Sequence, residues 1–155
     1  MMADVFTDRS GDPHVKPDEA SVIPRRSAYG ICIACGKILL IKPRWNDSWE
    51  LPGGGTQEGE EVTQALVREF LEETGYEVKD YLPEPVHIIR QDFYADDLDM
   101  YYDSTLHFFR IKSISEHAIG EIDGEEVREV GWIPLPDLKQ MRLKPNHEEA
   151  VMKCL

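Results

Sequence analysis

Three consecutive glycines, followed a few residues later by a clear helical segment, constrain the fold of this chain more than any other feature. Gly53, Gly54 and Gly55 allow a tight loop whose backbone can approach a ligand closely. Residues 61–73 contain no glycine or proline, and Gly75 follows them as a C-terminal stop signal. The sequence therefore predicts a ligand-accessible loop that leads into a helix.

The predicted helix has an apolar side and an acidic side. At about 100° per residue, its apolar residues fill an arc of roughly 140°, which is wide enough for a core face. These residues are Leu66, Val67, Phe70 and Leu71. Glu69, Glu72 and Glu73 lie on another side as close neighbours, where like charges repel and the helix C-terminus disfavours them. A solvated acidic face is one interpretation. A divalent cation held by these oxygens is the other, and the adjacent glycines favour it.

The charge of the chain limits its partners. The 155 residues include 30 acidic and 17 basic side chains, which gives a formal net charge of −13. Such a field repels phosphates at long range, so non-specific binding to DNA, RNA or anionic membranes is not expected. A phosphorylated substrate therefore needs local basic side chains or a bound cation. No apolar stretch is long enough to predict a membrane-spanning helix.

The remaining pattern predicts a mixed α/β domain. Strands are predicted over residues 28–34, 38–41, 49–51, 86–94, 101–111 and 127–133, and a second helix over 147–154. The first two strands read as a hairpin. Because strands and helices do not alternate regularly, the order fits a mixed sheet better than repeated βαβ units.

The ends of the chain and its cysteines suggest one cytoplasmic domain. Residues 1–26 contain prolines among polar residues without apolar periodicity, which predicts a flexible N-terminal tail before a domain over 27–155. No basic segment followed by an apolar run marks a signal peptide. Together with the odd number of cysteines (Cys32, Cys35 and Cys154), this predicts reduced thiols and a cytoplasmic location.

Residues 54–76 resemble the signature of the Nudix hydrolases, the Nudix box, at every specified position. The matching residues are Gly54, Glu60, Arg68, Glu69, Phe70, Glu72, Glu73, Gly75 and Tyr76. Tyr76 is aromatic where the family usually has an aliphatic residue. The Trp-Glu-Leu-Pro-Gly-Gly sequence at 49–54 and the strand at 130–134 are also similar to the family. The chain is thus identified as a member of the Nudix superfamily, of the MutT-like type.

The resemblance implies a fold, a reaction and a cofactor. The fold is an α/β/α sandwich around a mixed β-sheet. The reaction is hydrolysis of the pyrophosphate bond in a nucleoside diphosphate linked to another group, with Mg²⁺ or Mn²⁺. Such ions neutralise phosphate charge and lower the pKa of bound water. They would also explain how an anion enters so acidic a protein.

The resemblance also implies roles for the box residues. Glu69, Glu72 and Glu73 would hold the metal ions, and one of them would deprotonate the attacking water. Arg68 would orient a glutamate of the site, and Glu60 would support the loop and the helix. Family members often add an acidic ligand from a later loop. The sequence leaves four candidates open and favours the last two: Glu116, Glu121, Glu125 and Glu126.

Substrate contacts are predicted in three places. Gly53 and Gly54 permit close backbone approach. Lys42 and Arg44 leave the second strand just before these glycines, either to contact phosphates or as an exposed strand end. Asn146 either caps the last helix or reads a purine base, as an asparagine before the last helix does in MutT-type enzymes. An amide offers both a donor and an acceptor for that purpose.

The predicted function is therefore metal-dependent pyrophosphate hydrolysis in a nucleoside di- or triphosphate derivative. Two enzymatic alternatives are a dinucleoside polyphosphate hydrolase, which a tyrosine such as Tyr94 would fit, and an ADP-ribose or nucleotide-sugar hydrolase. A third alternative is a regulatory Nudix domain that binds nucleotides without cleaving them. The complete box favours a hydrolase. The expected partner is a small nucleotide, and the assembly is left open between a monomer and a homodimer.

Overall fold

A computed structural model describes residues 4–155 and shows a mixed β-sheet with helices packed on it. The strands are β1 (Val5–Thr7), β2 (Pro13–Val15), β3 (Val22–Ala34), β4 (Lys37–Pro43), β5 (Gly53–Gly55), β6 (Val78–Tyr81), β7 (His87–Ala95), β8 (Met100–Ile114) and β9 (Val127–Pro134). The helices are α1 (Val62–Thr74), a 3-10 helix at Leu135–Gln140, and α2 (Pro145–Met152). Within the described residues, no helix combines the length and apolar character that crossing a bilayer requires.

Two long parallel strands, β3 and β8, form the centre of the sheet. They pair from Val22↔Tyr101 to Cys32↔Ile111. The strand order is β2-β1-β7-β8-β3-β4-β9, and β5 and β6 pair additionally with β3 and β8. β1 is parallel to β7, whereas β4 and β7 are antiparallel to β3 and β8 respectively. The sheet is therefore mixed, as predicted.

Each face of the sheet carries its own apolar core, because successive side chains of a strand point to opposite faces. Ile31 and Cys32, neighbours on β3, belong to different cores. On the face of Cys32, α1 contributes fully buried side chains: Ala65, Leu66 and Phe70. On the face of Ile31, α2 contributes Ala150 and Val151. This arrangement confirms the predicted α/β/α sandwich.

Local signals define both ends of α1. At the start, the Glu61 N–H donates a 2.8 Å hydrogen bond to Gln64 Oε1. At the end, Gly75 has a φ of 80°, and its N–H donates to the Leu71 carbonyl at 2.8 Å. A left-handed glycine in this position ends a helix at little cost. The helix differs from the prediction over 61–73 by one residue at each end.

The segment predicted to be a tail contains regular structure. β1 and β2 form an antiparallel hairpin, β1 pairs in parallel with β7 at Thr7↔Phe93, and β3 begins within the segment at Val22. One buried aromatic side chain anchors it, since Phe6 is 3% exposed and packs edge-on against Tyr101. Because only one apolar side chain of the hairpin, residues 5–15, is buried in this way, the sequence shows no apolar periodicity that would predict a strand. Residues 1–3 lie outside the described residues, and the flexibility of the segment stays a prediction.

Two further local predictions differ from the structure. Residues 49–51 make isolated bridges rather than a strand, and the strand lies at β5 instead. The interpretation of Asn146 as a helix cap is wrong. Proline favours the first position of a helix, so α2 begins at Pro145 and Lys144 occupies the cap position.

His147 anchors α2 to the segment that precedes the glycines. The Leu51 N–H donates a 2.9 Å hydrogen bond to His147 Nδ1, and the ring packs against Tyr29. Burial, with a smaller effect of Lys144, holds the pKa of His147 well below its ordinary value of 6.5. The ring is therefore a neutral hydrogen-bond acceptor in the native state.

Replacing His147 by leucine should lower the free energy of unfolding by about 1–3 kcal/mol near neutral pH, because the Leu51 N–H loses its buried acceptor. Acidification should narrow this difference. Below about pH 6.5, the unfolded wild type gains a proton on this histidine that the native state does not, so wild-type stability falls relative to the variant.

Urea denaturation of both proteins near pH 7.5 and pH 5.5 measures this effect. The difference should shrink by about 1 kcal/mol at the lower pH. His117→Leu, at an exposed position, is the matched control and should show neither effect. A difference that is independent of pH would contradict a neutral, buried His147.

Candidate active site

The glycine strand β5 meets α1 through two glutamates. β5 pairs with β3, which fixes its position beside the helix. The Gly53 N–H donates a 2.7 Å hydrogen bond to Glu73 Oε1. A Cβ atom at Gly54 would lie 2.6 Å from the carboxylate carbon of Glu69. A side chain at position 54 would therefore displace the Glu69 carboxylate from its place beside the strand.

Arg68 connects most of the polar residues of the Nudix box. Its Nε and Nη2 donate to the two carboxylate oxygens of Glu60 at 2.8 and 2.9 Å. Its Nη1 donates to Glu69 Oε1 at 2.9 Å and lies 3.3 Å from a carboxylate oxygen of Glu72. The Arg68 hydrogen bonds lower the pKa of Glu60 to about 2. One guanidinium thus contacts Glu60, Glu69 and Glu72, and the orienting and supporting roles of Arg68 and Glu60 stay predictions.

The box carboxylates differ in burial. Glu73 is 5% exposed, and burial raises its pKa well above the ordinary value, with Glu69 and Glu50 raising it further. Burial also raises the pKa of Glu69, against the opposing effect of Arg68. The Glu72 side chain is 46% exposed. Two of the three glutamates are thus held charged only at a cost that a bound cation would offset.

Glu50 also belongs to this cluster, although the sequence pattern did not predict it. It is 6% exposed, and its Oε2 has no hydrogen-bond partner among the described residues. Its nearest cation is Lys144, whose Nζ lies 3.9 Å from Oε1, and burial raises the pKa of Glu50. The available signal was an acidic residue between Trp49 and Leu51 in an otherwise apolar stretch.

Of the four acidic candidates in the later loop, Glu126 lies at the same site. It lines the cleft formed by Glu50, Glu69 and Glu73. Partial burial raises its pKa, Asp123 adds to this effect, and Arg9 opposes it. The other three candidates do not line this cleft.

The cleft brings acidic and basic groups together in a cavity of about 290 Å³. The acidic residues and the glycines of β5 form part of its wall. Three basic side chains also line it: Arg9, Arg25 and Lys144. The Arg25 guanidinium lies over the rings of Phe93 and Tyr102, 5.5 and 5.4 Å from their centroids. A site with both signs of charge can accept a cation and a phosphate together.

A second cavity of about 650 Å³ adjoins this cleft. Arg9, Gln91 and Lys144 line both, so they mark the junction. Asn146 lines the second cavity, and its Nδ2 donates a 3.1 Å hydrogen bond to Gln91 Oε1. The Asn146 amide is therefore bound to a residue that lines both cavities.

The structure does not bring Lys42 and Arg44 into either cavity. Lys42 Nζ lies 5.1 Å from the ring centroid of Trp49. Arg44 Nε donates to the Gly124 carbonyl, and its N–H donates to the Glu126 carbonyl. Arg44 is therefore engaged by the later loop, whereas Lys42 lies over Trp49. This placement argues against the predicted phosphate contacts of both residues.

The donor chemistry of the cleft fits a divalent cation. Hard cations prefer carboxylate oxygens, and the buried Glu50 Oε2 is such an oxygen without a partner in the described part of the chain. Within residues 4–155, no three acidic, histidine or cysteine side chains already converge closely enough to hold an ion. The structure therefore supplies candidate ligands without a coordination geometry. Four of them line the cleft, namely Glu50, Glu69, Glu73 and Glu126, and Glu72 lies outside its lining on the exposed side of the helix.

The fold and the box define a Nudix domain, and comparison with known proteins agrees. The family model of the NUDIX domain matches residues 24–154. The chain therefore belongs to the NUDIX domain family. A solved structure of a MutT NUDIX hydrolase from Burkholderia pseudomallei has the same fold, with a TM-score of 0.68 at 22% identity over 85% of this chain and 98% of that one.

Curated relatives match shorter segments. The chain is 35% identical over 68 residues to a putative 8-oxo-dGTP diphosphatase of Bacillus subtilis (strain 168), covering 44% of each protein. It is 44% identical over 50 residues to an RNA pyrophosphohydrolase of Actinobacillus succinogenes, covering 32% of this chain and 25% of that one. The chain thus spans less than half the length of either relative.

Proposed function

We propose that this protein is a Nudix pyrophosphohydrolase that cleaves the acid anhydride bond of a nucleoside di- or triphosphate derivative with Mg²⁺ or Mn²⁺. One observation carries this proposal: Glu69 and Glu73 contact the glycine strand in a cleft that basic side chains also line. The name of the Bacillus subtilis relative, a putative 8-oxo-dGTP diphosphatase, supports a MutT-like nucleotide substrate.

Under this proposal, residues of the cleft and of the Nudix box have three roles: they bind a cation, take a proton from water, and hold the phosphates of the substrate. A bound cation would neutralise phosphate charge and lower the pKa of the attacking water. Arg68 donates to Glu69 Oε1, so Glu69 Oε2 would be the oxygen available to take a proton from the attacking water. The Gly53 N–H fixes the Glu73 carboxylate. Arg25 and Lys144 supply positive charge for the phosphates of the substrate.

The alternatives differ in their support. The Tyr94 hydroxyl donates to Asp99 Oδ1 at 2.8 Å, and its ring packs against Tyr101 rather than lining the cleft. This placement weakens the dinucleoside polyphosphate alternative. The complete box, with Arg68 and Glu69 in contact, argues against a purely regulatory domain. ADP-ribose and nucleotide sugars stay as outcomes of the substrate test.

A substrate panel tests the proposal. Nucleoside triphosphates, ADP-ribose, nucleotide sugars and dinucleoside polyphosphates would be incubated with and without Mg²⁺, and their products separated. We expect a mononucleotide to be preferred and turnover to stop in excess EDTA. A kcat/KM for a dinucleoside polyphosphate about a hundredfold above every mononucleotide would overturn this order. Nucleotide binding without any cleavage would support a regulatory domain instead.

Replacing Asn146 by aspartate tests its proposed role in base recognition. The amide donors are lost, so the ratio of kcat/KM for purine over pyrimidine nucleotides should change by about fivefold to a hundredfold. The thermal midpoint Tm should change little, because Lys144 and not Asn146 occupies the cap position. Glu148→Gln, exposed on the same helix, is the control. An unchanged base preference would contradict this role.

The proposal also covers location and assembly. The three cysteines are free thiols in the structure, and the cytoplasm keeps thiols reduced. We therefore propose a cytoplasmic enzyme acting on small nucleotides. A homodimer stays a prediction, which the mass of the purified protein in solution would test.

A further inference from the structure

The N-terminal hairpin, formed by β1, β2 and the loop between them, is part of the walls of both cavities. It lies before residue 24, where the match to the family model begins. Residues 7–11 line the second cavity, and Arg9 also lines the carboxylate cleft. A segment outside the family domain therefore contributes to the candidate site.

The loop of this hairpin is held in a defined shape by Asp8. Its carboxylate accepts hydrogen bonds from the N–H groups of Ser10 and Asp12 at 2.9 and 3.0 Å. His14 Nε2 lies 2.7 Å from its other oxygen. Asp8 is 9% exposed, and Phe6 beside it is buried in the sheet. Hydrogen bonds to Asp8 thus shape the loop that carries Arg9.

The side chain of Arg9 lies at the junction of the two cavities. Its guanidinium carbon lies 4.8 Å from the ring centroid of Trp45, and Asn46 Nδ2 donates to its backbone carbonyl at 3.2 Å. Its ion-pair partner is Asp96, whose carboxylate is 3.3 Å from Arg9 Nε and 41% exposed. A pair this exposed stabilises little, so a phosphate could replace it at low cost.

We infer that Arg9 of the N-terminal hairpin is a substrate-binding residue that contacts the phosphate chain of the nucleotide where the chain passes between the two cavities. The inference rests on the proposed function. The carboxylates of the same cleft would hold the cation, and Asn146 in the second cavity would lie near the base. A guanidinium matches two phosphate oxygens at once, and stacking on Trp45 orients its planar fork.

Three full-length variants test this inference: Arg9→Gln, Arg9→Lys and, as a control, Lys16→Gln. The control removes one positive charge from the same N-terminal segment but from a residue that lines neither cavity. For the best substrate of the panel, Arg9→Gln should raise KM about tenfold to a hundredfold and change kcat by less than about threefold. Lys16→Gln should change neither.

Direct binding of inorganic pyrophosphate, in the presence of Mg²⁺, provides a readout that does not depend on catalysis. Calorimetry should show a Kd for Arg9→Gln at least about tenfold above wild type, and an intermediate value for Arg9→Lys. A protein that cleaves no member of the panel would overturn the proposed function. Its pyrophosphate affinity would still decide the role of Arg9.

A structural role for Arg9 makes a different prediction. If Arg9 only joins the hairpin to Trp45 and Asp96, Arg9→Gln lowers Tm and leaves KM and the pyrophosphate Kd at the values of Lys16→Gln. That result would overturn the inference, as would a wild-type protein that does not bind pyrophosphate. If Arg9→Gln does not fold, Arg9→Lys decides, because it keeps the charge and loses the planar fork. An unchanged KM and Kd for Arg9→Lys would then count against the inference.

Discussion

Replacing Glu73 by glutamine should reduce kcat/KM at least about a hundredfold, because a ligand that would supply several kcal/mol of charge stabilisation is neutralised. The fold should persist, since the amide oxygen of glutamine can still accept the hydrogen bond from the Gly53 N–H. Glu72→Gln should also lose most activity, although its side chain lies nearer the solvent. Steady-state kinetics with Mg²⁺ and the Tm of each variant measure the two effects separately.

Glu73→Gln should also be more stable than the wild type when the metal is removed. Burial raises the pKa of Glu73 above its ordinary value of 4.5, so above that pH the native state holds a proton more tightly than the unfolded state does. The stability of the wild type in EDTA should therefore rise as pH falls from neutral toward about 4.5. Glutamine cannot titrate, so this pH dependence should weaken in Glu73→Gln.

Glu58→Gln is the matched control for both measurements, because Glu58 is exposed on the loop between β5 and α1. It should retain wild-type activity and pH dependence. Full turnover by Glu73→Gln, or by the wild type in excess EDTA, would refute the assignment of the box carboxylates as metal ligands.

The parts of the site that were predictable depend on local spacing. The side chains of Glu69, Glu72 and Glu73 are neighbours in any helix that includes them, and Gly75 ends that helix by its own backbone conformation. The glycines lie beside these carboxylates because only a short loop connects β5 to α1. The helix, its carboxylate cluster and the mixed sheet could therefore be predicted from residue types and periodicity, whereas the α/β/α sandwich followed from the resemblance to the Nudix family.

The parts that were missed depend on contacts between distant segments. Glu50 reaches the cleft because its segment bridges β4 at Ile41 and is held by His147. Arg9 reaches the cleft because Thr7 pairs with Phe93, and no periodicity in the first residues predicts this pairing. Such placements are set by tertiary packing, which a local pattern does not encode.

Asn146 shows where a local rule competed with another. Asparagine is a favoured N-cap, but the preceding Pro145 prefers the first helical position and moves the cap to Lys144. The amide is thereby free to face Gln91 and the second cavity. The sequence contained both the asparagine and the proline signal, and the helix begins at the proline because it comes first along the chain.

Replacing Gly53 by alanine should lower the free energy of unfolding by about 3 kcal/mol or more. The new Cβ would lie 2.1 Å from the Ala28 carbonyl oxygen and 2.6 Å from the Tyr29 Cα, both backbone atoms of the central strand β3. The φ of 156° at Gly53 is also unfavourable for a residue with a side chain. Because β3 cannot shift without disturbing its pairing with β8, the clash should separate β5 from the sheet.

Variants at two nearby glycines distinguish this steric clash from backbone strain alone and from displacement of a proposed catalytic side chain. Gly59 also has a positive φ, 75°, but a Cβ there meets nothing within 4 Å, so Gly59→Ala should cost about 1–2 kcal/mol from backbone strain alone. At Gly54 the added Cβ meets the end of the Glu69 side chain, so Gly54→Ala should reduce activity with a smaller loss of stability. Urea denaturation and kinetics of all three variants test this order. If Gly53→Ala were as stable as Gly59→Ala, the tight packing of β5 against β3 would be refuted.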